Sequence, residues 1–343
     1  MSKITNLSEQ DVIELLEAWS FISGATLEAT NRQGANNTTH VINTPAGKFI
    51  LKLYGDSTLT TQIEYEHTLL AYLQQADLSF AIPAPMPALS GQTLVKVKKE
   101  DTQLRVALLP FLLGQPMERQ NLSHTRAAGQ ALGELHHVLV GFDPKGKLAQ
   151  LPSWGNLNHI HPLITDPLEV TQLLPLTSNQ QVRLVKTLTE VILASPQLYK
   201  KLPVQTIHAD YLSPNILVEA DRVVGILDFE FATTDLRLLD YICGLDHFAS
   251  FPWQELPRWQ FIQAFSAGYK ENVSLTQFEI EAITTAWRLQ WASSIVYWTG
   301  WLCEGKGNQQ SALDAVAKLL LLEEWLEDNT PALLNCLTNS EID

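Results

Sequence analysis

The spacing of apolar residues changes character along the chain. Up to about residue 112, short apolar runs alternate with turn-forming Gly, Pro and Asn, a pattern that predicts strands joined by hairpins. Two stretches of this part instead repeat apolar residues at helical spacing. The predicted strands span residues 26–32, 38–44, 48–54, 93–98 and 104–109, and the predicted helices span residues 9–19 and 60–74.

From residue 113 onward, helical periodicity dominates. The clearest example is segment 123–139, in which Leu132 and Leu135 fall on one apolar face. Further helices are predicted at residues 179–193, 286–301 and 315–326 and near Leu245. We therefore predict an α+β fold with two lobes. Residues 1–112 would form a small antiparallel sheet lobe with a helix, and residues 113–343 a larger, mainly helical lobe.

Composition and charge exclude some classes of protein. Hydrophobic residues make up 45% and charged residues 17% of the 343 residues, which is the balance of a folded protein. A formal net charge of −14 argues against a nucleic-acid surface, which needs clustered Lys and Arg. The three cysteines lack metal-ligand spacing, and no apolar run has signal-core or membrane-spanning character. We therefore expect a cytoplasmic protein without nucleic-acid or membrane partners, as a monomer or a homodimer.

The segment from Thr206 to Leu245 contains most of the candidate catalytic residues. A polar loop holds His208, Asp210 and Asn215, and two runs of Ile, Leu and Val then predict a hairpin that ends at Asp228. We expect the hairpin to bring Asp210, Asn215 and Asp228 close together. Carboxylate and amide oxygens are suitable ligands for Mg²⁺. The alternative is that each of these polar residues only caps a turn.

The spacing of these residues resembles that of a kinase catalytic loop. In kinases, a His, an Asp two residues later and an Asn five residues after that Asp precede a metal-binding Asp-Phe pair. His208, Asp210 and Asn215 have these offsets, whereas Glu230 replaces the Gly that usually follows the pair at Asp228. We predict that Asp210 takes the proton of an acceptor hydroxyl and that His208 keeps the loop rigid. Asn215 and Asp228 are the predicted Mg²⁺ ligands.

A turn between the first two strands is the first candidate for a phosphate contact. It contains Gly34, Asn36 and Asn37, and it lies where a kinase covers the nucleotide phosphates with backbone N–H groups. The turn lacks the G-x-G-x-x-G pattern, and it is equally typical of a plain hairpin.

Lys52 is the second candidate. It lies in an apolar strand, like the kinase lysine that contacts the α- and β-phosphates and pairs with a helix glutamate. Glu66 is the preferred partner and Glu64 the competitor. The apolar stretch after the last strand includes Phe111 and Leu113, whose backbone groups are candidates for hydrogen bonds to adenine.

Acceptor contacts are predicted from charge and position. Arg288, in the 286–301 helix, is a candidate for binding a substrate carboxylate, with an internal ion pair as the alternative. Glu230 and Asp246 are candidates for contacting a substrate, and with Glu304 they are candidates for contacting a cationic group of it. Core packing is the default explanation for the aromatic residues on one face of this helix, Trp287, Trp291 and Trp298, and a wall of the acceptor pocket is the alternative.

The ordered motifs resemble those of the aminoglycoside phosphotransferase/choline kinase superfamily, whose fold is protein-kinase-like. The resemblance rests on Ile207-His208-Ala209-Asp210 with Pro214-Asn215, on Leu227-Asp228-Phe229-Glu230-Phe231-Ala232 with Asp235, and on Asp240-Tyr241. The His-Ala-Asp and Asp-Phe-x-Phe-Ala-x-Thr-Asp patterns, together with Gly47 to Tyr54, are similar to the homoserine kinase type II branch.

This resemblance implies an ATP- and Mg²⁺-dependent kinase that phosphorylates a hydroxyl of a small-molecule acceptor. Homoserine is the first choice of acceptor, and an aminoglycoside or a choline-like amine is the alternative. The resemblance also implies that Asp240 is structural and braces the catalytic loop. A non-catalytic, nucleotide-binding pseudokinase is the alternative of another class. It is disfavoured because every expected catalytic position is filled.

Overall fold

The protein is described here by a computed structural model covering residues 8–19, 24–33, 37–55, 58–99, 102–149, 151–250 and 256–338. The chain divides into two compact units. The first comprises Met1–Gly114, Phe142–Gln150 and Gly225–Glu230, and the second comprises Gln115–Gly141, Leu151–Val224 and Phe231–Asp343. An antiparallel sheet lies in the first unit, and the second is mainly helical. The predicted α+β class is confirmed.

The first unit is built on a sheet in the strand order β1-β2-β3-β5-β4, with every neighbouring pair antiparallel. Its elements are α1 (Glu9–Leu16), β1 (Thr26–Gln33), β2 (Asn37–Thr44), β3 (Gly47–Tyr54), α2 (Thr60–Gln74), β4 (Val95–Lys99) and β5 (Thr102–Pro110). The predicted strands are present with ends that match or are shifted by at most two residues. Helix α1 ends at Leu16 rather than Trp19, although Trp19 is buried.

Alternation along β3 decides which side chains of the first unit meet. Leu51 and Leu53 pack into an apolar cluster with residues of α1 on one face of the sheet. Because successive strand residues point to opposite faces, Lys52 and Tyr54 lie on the other face. Tyr54 packs there with Ile63 of α2. Lys52 is therefore directed toward the helix that carries the predicted glutamate partner.

The second unit consists of long helices and short strands. Its elements are β6 (Gln115–Pro116), α3 (Leu122–Leu139), α4 (Val170–Leu173), α5 (Ser178–Lys201), β7 (Val204–Ile207), β8 (Ile216–Glu219), β9 (Arg222–Ile226), β10 (Thr233–Leu236), α6 (Arg237–Ala249), α7 (Trp259–Lys270), α8 (Gln277–Cys303) and α9 (Gln309–Thr338). The predicted hairpin is present as β8 and β9, although β9 runs across the boundary into the first unit. None of the helices in the described part of the chain has both the length and the apolar character needed to cross a lipid bilayer.

The antiparallel pair of β7 and β10 was not predicted. Each strand has four residues, and Thr-Thr-Asp-Leu in β10 shows no apolar alternation. The pairing depends on partners that are distant in sequence, which local patterns do not reveal. It matters for the site because His208 follows directly after β7.

Helices α3 and α7 approach each other closely at glycines. A Cβ atom on Gly129 would collide with the carbonyl oxygen of Phe265, and one on Gly268 would collide with the carbonyl oxygen of Arg126. Both obstacles are backbone atoms, so rotation of a side chain cannot relieve them. The absence of a side chain at these positions is therefore what permits this helix contact.

We expect Gly129→Ala to lower the free energy of unfolding by about 1–3 kcal/mol, the usual cost of overpacking. At an open helical position the same change would raise stability, because Ala has the higher helix propensity. Urea unfolding followed by circular dichroism measures the difference. The exposed neighbour Gln130 supplies the control, since Gln130→Ala should stay within about 0.5 kcal/mol of wild type. A Gly129→Ala protein as stable as this control would contradict the close packing.

Candidate active site

The first unit pairs Lys52 with Glu66. The Lys52 Nζ atom lies 2.8 Å from Glu66 Oε1, and both side chains are buried. The competitor, Glu64, is exposed on the same helix. Burial by itself is the largest influence and lowers the pKa of Lys52, yet this pKa lies well above its ordinary value because Glu66 and smaller contributions that include Glu230 and Asp228 together outweigh burial. Lys52 is thus a fixed positive charge, as a phosphate contact requires.

Glu230 is a second carboxylate beside Lys52. Its Oε2 atom lies 3.6 Å from Lys52 Nζ and accepts a hydrogen bond from Asn37 Nδ2. Asn37 is fixed in turn, because its Oδ1 accepts the backbone N–H of Gly55 at 3.3 Å. Glu230, at the position of the kinase Gly, therefore contacts the lysine and the turn residue of the first unit. The other predicted turn residues, Gly34 and Asn36, lie outside the described residues.

Phe111 and Leu113 differ in their backbone contacts. The N–H of Phe111 donates to the carbonyl oxygen of Lys48 at 3.3 Å, which continues the sheet beyond β5. Leu113 is 80% exposed. Among the described residues, none forms a backbone hydrogen bond with Leu113. The backbone groups of Leu113 therefore remain available to a planar base, whereas the N–H of Phe111 is already used.

In the second unit, Asp210 is held by two neighbours of its own loop. Asn215 Nδ2 donates to the Asp210 carbonyl oxygen at 2.9 Å and to Asp210 Oδ2 at 2.8 Å. The N–H of Asp210 donates to His208 Nδ1 at 3.2 Å, and His208 is fully buried. Between them, Ala209 has a φ of 62°, in the left-handed region that is unfavourable for a residue with a Cβ. Such strain is typical of catalytic loops.

Asp240 anchors this loop from α6. Its carboxylate accepts the backbone N–H groups of His208 and Ala209, both at 2.9 Å, and contacts His136 Nε2 at 3.0 Å. The bracing role expected of Asp240 is confirmed. Burial by itself raises the pKa of Asp240, but the hydrogen bond and charge of His136, with contributions from His208, lower it below the ordinary value.

His136 has a role that its position near the C-terminus of α3 does not indicate. Histidines near a helix C-terminus interact favourably with the helix dipole, and that is sufficient to explain an exposed one such as His137. His136 instead is fully buried and joins Asp240 to the hydroxyl of Tyr269, which lies 2.8 Å from its Nδ1. The signal available in the sequence was the position of His136 on the buried face of α3.

We expect Asp240→Asn to lower the free energy of unfolding by about 1–3 kcal/mol at neutral pH, because one of the buried donors then faces an amide NH₂. The lowered pKa of Asp240 means that its carboxylate stabilises the protein above its unfolded pKa of about 4. This contribution is lost as the pH falls through the folded value. Urea unfolding between pH 3 and 7 should therefore show the difference from wild type shrinking in acid. A constant difference would contradict the assignment.

Asn215 and Asp228 each have an oxygen atom that could bind a hard cation. The amide nitrogen of Asn215 is used by Asp210, and within the described ranges no donor contacts its Oδ1. Asp228 is exposed, has a φ of 62° and, among the described residues, takes part in no hydrogen bond or ion pair. Each therefore offers a hard oxygen to a metal ion such as Mg²⁺. Asp228 belongs to the first unit and Asn215 to the second.

The predicted substrate residues of the second unit have protein partners. Arg288 Nε lies 3.6 Å from Glu323 Oε1, so the internal ion pair considered from sequence is present. Asp246 Oδ1 accepts the indole N–H of Trp287 at 2.9 Å and that of Trp291 at 3.5 Å. It also lies 3.8 Å from Nζ of Lys318, a buried residue that sequence reasoning missed. Its only signal was a charge within the apolar run of α9.

The aromatic residues of α8 do not share one environment. Trp287 is fully buried, Trp291 is partly buried, and Trp298 is 36% exposed. Core packing is thus correct for Trp287 and wrong for Trp298. Eleven residues at about 100° each amount to three full turns and about 20° more, so Trp298 lies on nearly the same face of α8 as Trp287. Their different exposure therefore reflects what packs against each end of α8 rather than a change of helical face.

Comparison with known proteins identifies the family. The sequence profile of the phosphotransferase enzyme family matches residues 29–272. A homoserine kinase of Rhizobium meliloti (strain 1021) is 25% identical over 293 residues, which cover 82% of this chain and 81% of that protein.

Solved structures share the fold. A microcompartment-associated aminopropanol kinase has a TM-score of 0.68 at 19% identity and covers 95% of this chain and 100% of its own. Amicoumacin kinase hAmiN, in complex with AMP-PNP, Ca²⁺ and Ami, has a TM-score of 0.66 at 15% identity, covering 93% and 94%. The resemblance inferred from the motifs is thereby confirmed. The chain belongs to the phosphotransferase enzyme family and is a small-molecule kinase.

Proposed function

We propose that the protein transfers the γ-phosphoryl group of ATP, bound with Mg²⁺, to the side-chain hydroxyl of homoserine. The observation that carries the proposal is the fixed Asp210 carboxylate, held by Asn215 on a strained loop that Asp240 braces. The homoserine kinase of Rhizobium meliloti, similar over most of both chains, supports the choice of acceptor. The solved complex of a fold relative with AMP-PNP and Ca²⁺ supports a nucleotide and a divalent cation.

Each side chain has a defined task in this reaction. Asp210 orients the acceptor hydroxyl and takes its proton as the oxygen bonds to the γ-phosphorus. The bond from the γ-phosphorus to the bridging oxygen breaks at the same time, and ADP leaves with the bond electrons. Lys52, held by Glu66, contacts the α- and β-phosphates. Asn215 and Asp228 would hold Mg²⁺, which neutralises charge on the phosphate oxygens when bound.

The position of Glu230 suggests how Lys52 is kept in place before nucleotide binds. Lys52 is in contact with two carboxylates, at 2.8 Å for Glu66 and 3.6 Å for Glu230. The shorter pair remains as the helix anchor, and the longer contact is the one that a phosphate would replace. Glu230 is thereby assigned to the nucleotide side of the reaction, in addition to the substrate contact expected from its position after Asp228.

An amino alcohol without a carboxylate is the second candidate acceptor. The observation that favours it is the Asp246 carboxylate beside the indoles of Trp287 and Trp291, a combination of negative charge and aromatic surface suited to a cationic amine. Choline-like amines and aminoglycosides belong to this group. A non-catalytic nucleotide-binding protein is the third alternative.

A screen for ADP release separates these alternatives. Wild-type protein with Mg²⁺ and ATP is incubated with homoserine, 3-aminopropan-1-ol, choline or an aminoglycoside. We expect the highest kcat/KM with homoserine. Higher kcat/KM with any of the amines would replace homoserine as the acceptor. Nucleotide binding without ADP release from any acceptor would favour the non-catalytic alternative.

A further inference from the structure

Lys318 is a charged residue in an apolar part of α9. Its side chain is 1% exposed, and its neighbours along α9, Val316, Leu319 and Leu320, belong to the buried core. The distance of 3.8 Å to Asp246 Oδ1 is an ion pair but is too long for a direct hydrogen bond. Buried ion pairs are often no more stabilising than apolar residues of similar volume. Stability alone is therefore a weak explanation for a lysine at this position.

A second cation acts on the same carboxylate. Arg119 is anchored at the end of α6, where its Nη2 donates to the carbonyl oxygens of His247 at 3.4 Å and Ser250 at 3.3 Å. Burial raises the pKa of Asp246, and the charges of Lys318 and Arg119 oppose that rise. Burial lowers the pKa of His247 to about 3, with the same two cations contributing. The charges of Arg119 and Lys318 thus act on both Asp246 and His247.

This cluster is joined to the catalytic loop. His247 Nε2 lies 3.0 Å from the hydroxyl of Ser213, which is part of the loop between Asp210 and Asn215. Cys243, on α6, supports the proximity. Burial raises the pKa of its thiol, and the carboxylates of Asp240, Asp210 and Asp246 act on it in the same direction. The hydrogen bond between Ser213 and His247 is therefore the direct link between the catalytic loop and the charged cluster.

Asp246 has one oxygen to offer to a ligand. The contacts of Trp287, Trp291 and Lys318 all go to Oδ1. Within the described part of the chain, Oδ2 accepts no hydrogen bond, and the Asp246 side chain retains 10% exposure. The carboxylate is thus held through Oδ1, and no described residue uses Oδ2.

We propose that Arg119, Asp246 and Lys318 recognise the amino-acid head group of the acceptor. Arg119 and Lys318 bind its carboxylate, and Asp246 Oδ2 accepts a hydrogen bond from its ammonium group. The guanidinium fork suits a planar carboxylate, and Lys318 supplies a point charge. The inference rests on the proposed function, because it concerns the acceptor of that reaction. It assigns residues to the carboxylate and the ammonium group, the two groups that distinguish a hydroxy amino acid from an amino alcohol or a hydroxy acid.

Truncated acceptors test each contact separately. Homoserine, 3-aminopropan-1-ol without the carboxylate and 4-hydroxybutanoate without the ammonium group are compared in wild type, Lys318→Met, Arg119→Lys and Asp246→Asn. We expect Lys318→Met to raise the KM of homoserine by about 10- to 100-fold, the scale of a charge-assisted hydrogen bond. Its kcat/KM for 3-aminopropan-1-ol should change by less than about threefold. Arg119→Lys keeps the charge and should show the same selectivity with a smaller effect.

Asp246→Asn should give the complementary pattern. It lowers kcat/KM for homoserine and for 3-aminopropan-1-ol, which carry the ammonium group, and leaves kcat/KM for 4-hydroxybutanoate unchanged. Arg126→Gln, which removes an exposed ion pair to Glu271 on the same unit, is the control and should leave all three acceptors unaffected. Thermal unfolding of each variant identifies loss of fold. If Lys318→Met does not fold, Arg119→Lys and Asp246→Asn still show whether the losses of kcat/KM are selective for one acceptor group or equal for all three acceptors.

The outcomes distinguish the inference from the proposed function. Equal losses of kcat/KM for all three acceptors in each variant would show a structural ion pair and overturn the inference while homoserine phosphorylation stands. Wild type that phosphorylates 3-aminopropan-1-ol better than homoserine would overturn carboxylate recognition. Wild type that neither phosphorylates nor binds homoserine by calorimetry would overturn both.

Discussion

Replacing Asp210 with Asn lowers kcat by about 10²–10⁴-fold, the scale of a lost general base. The change is nearly isosteric. The amide oxygen of the new side chain can still accept the hydrogen bond that Asn215 Nδ2 donates to Asp210 Oδ2 at 2.8 Å. The loop therefore keeps its shape and loses the group that accepts the proton. The KM for ATP should remain near the wild-type value, because Asp210 is assigned to the acceptor.

Steady-state kinetics with homoserine and ATP measures this effect. Asp221→Asn provides the same chemical change in the exposed turn between β8 and β9 and should leave kcat unaltered. The fold of both variants is compared by circular dichroism. A kcat near wild type in Asp210→Asn, with a normal control, would remove Asp210 from the role of base.

Loss of the Asp228 carboxylate is the second large effect. We expect Asp228→Asn to lower the affinity for Mg²⁺-bound ATP by at least about 100-fold, since a hard cation depends on anionic oxygen ligands. Asn is chosen because Asp228 has a φ of 62°, which Asn tolerates better than Ala. The backbone therefore stays as it is, and the measured change reports the carboxylate.

Calorimetric titration of ATP with and without Mg²⁺ measures the contribution of the metal directly. Wild type should bind much more tightly when Mg²⁺ is present, and Asp228→Asn should lose this difference. Asp77→Asn, at an exposed position of the first unit, should retain it. Equal Mg²⁺ dependence in wild type and Asp228→Asn would show that another group holds the cation.

Local patterns predicted the parts of the site that lie close in sequence. Alternation along β3 and the helical repeat of α2 were sufficient to pair Lys52 with Glu66 rather than Glu64, because each pattern fixes the face on which its residue lies. The loop offsets likewise brought Asp210 and Asn215 into contact. Both results follow from backbone geometry over a short distance.

These local patterns could not predict contacts between residues that are far apart in sequence. Asp246 on α6 and Lys318 on α9 are far apart in sequence, and neither helix shows which of its charges will be buried against the other. The same holds for His136 and Asp240, whose contact depends on how α3 packs beside α6. Helical periodicity identifies the buried face of a helix, but it does not identify which polar residue of a neighbouring element will contact that face.

Phosphorus NMR of the reaction mixture tests the central claim most directly. Wild-type protein is incubated with Mg²⁺, ATP and homoserine. The account predicts that the γ-phosphate signal is replaced by a phosphomonoester signal coupled to the two protons of the adjacent CH₂ group, together with the signals of ADP. Loss of ATP to inorganic phosphate alone, or an unchanged ATP spectrum with nucleotide bound, would contradict phosphoryl transfer to the hydroxyl of homoserine.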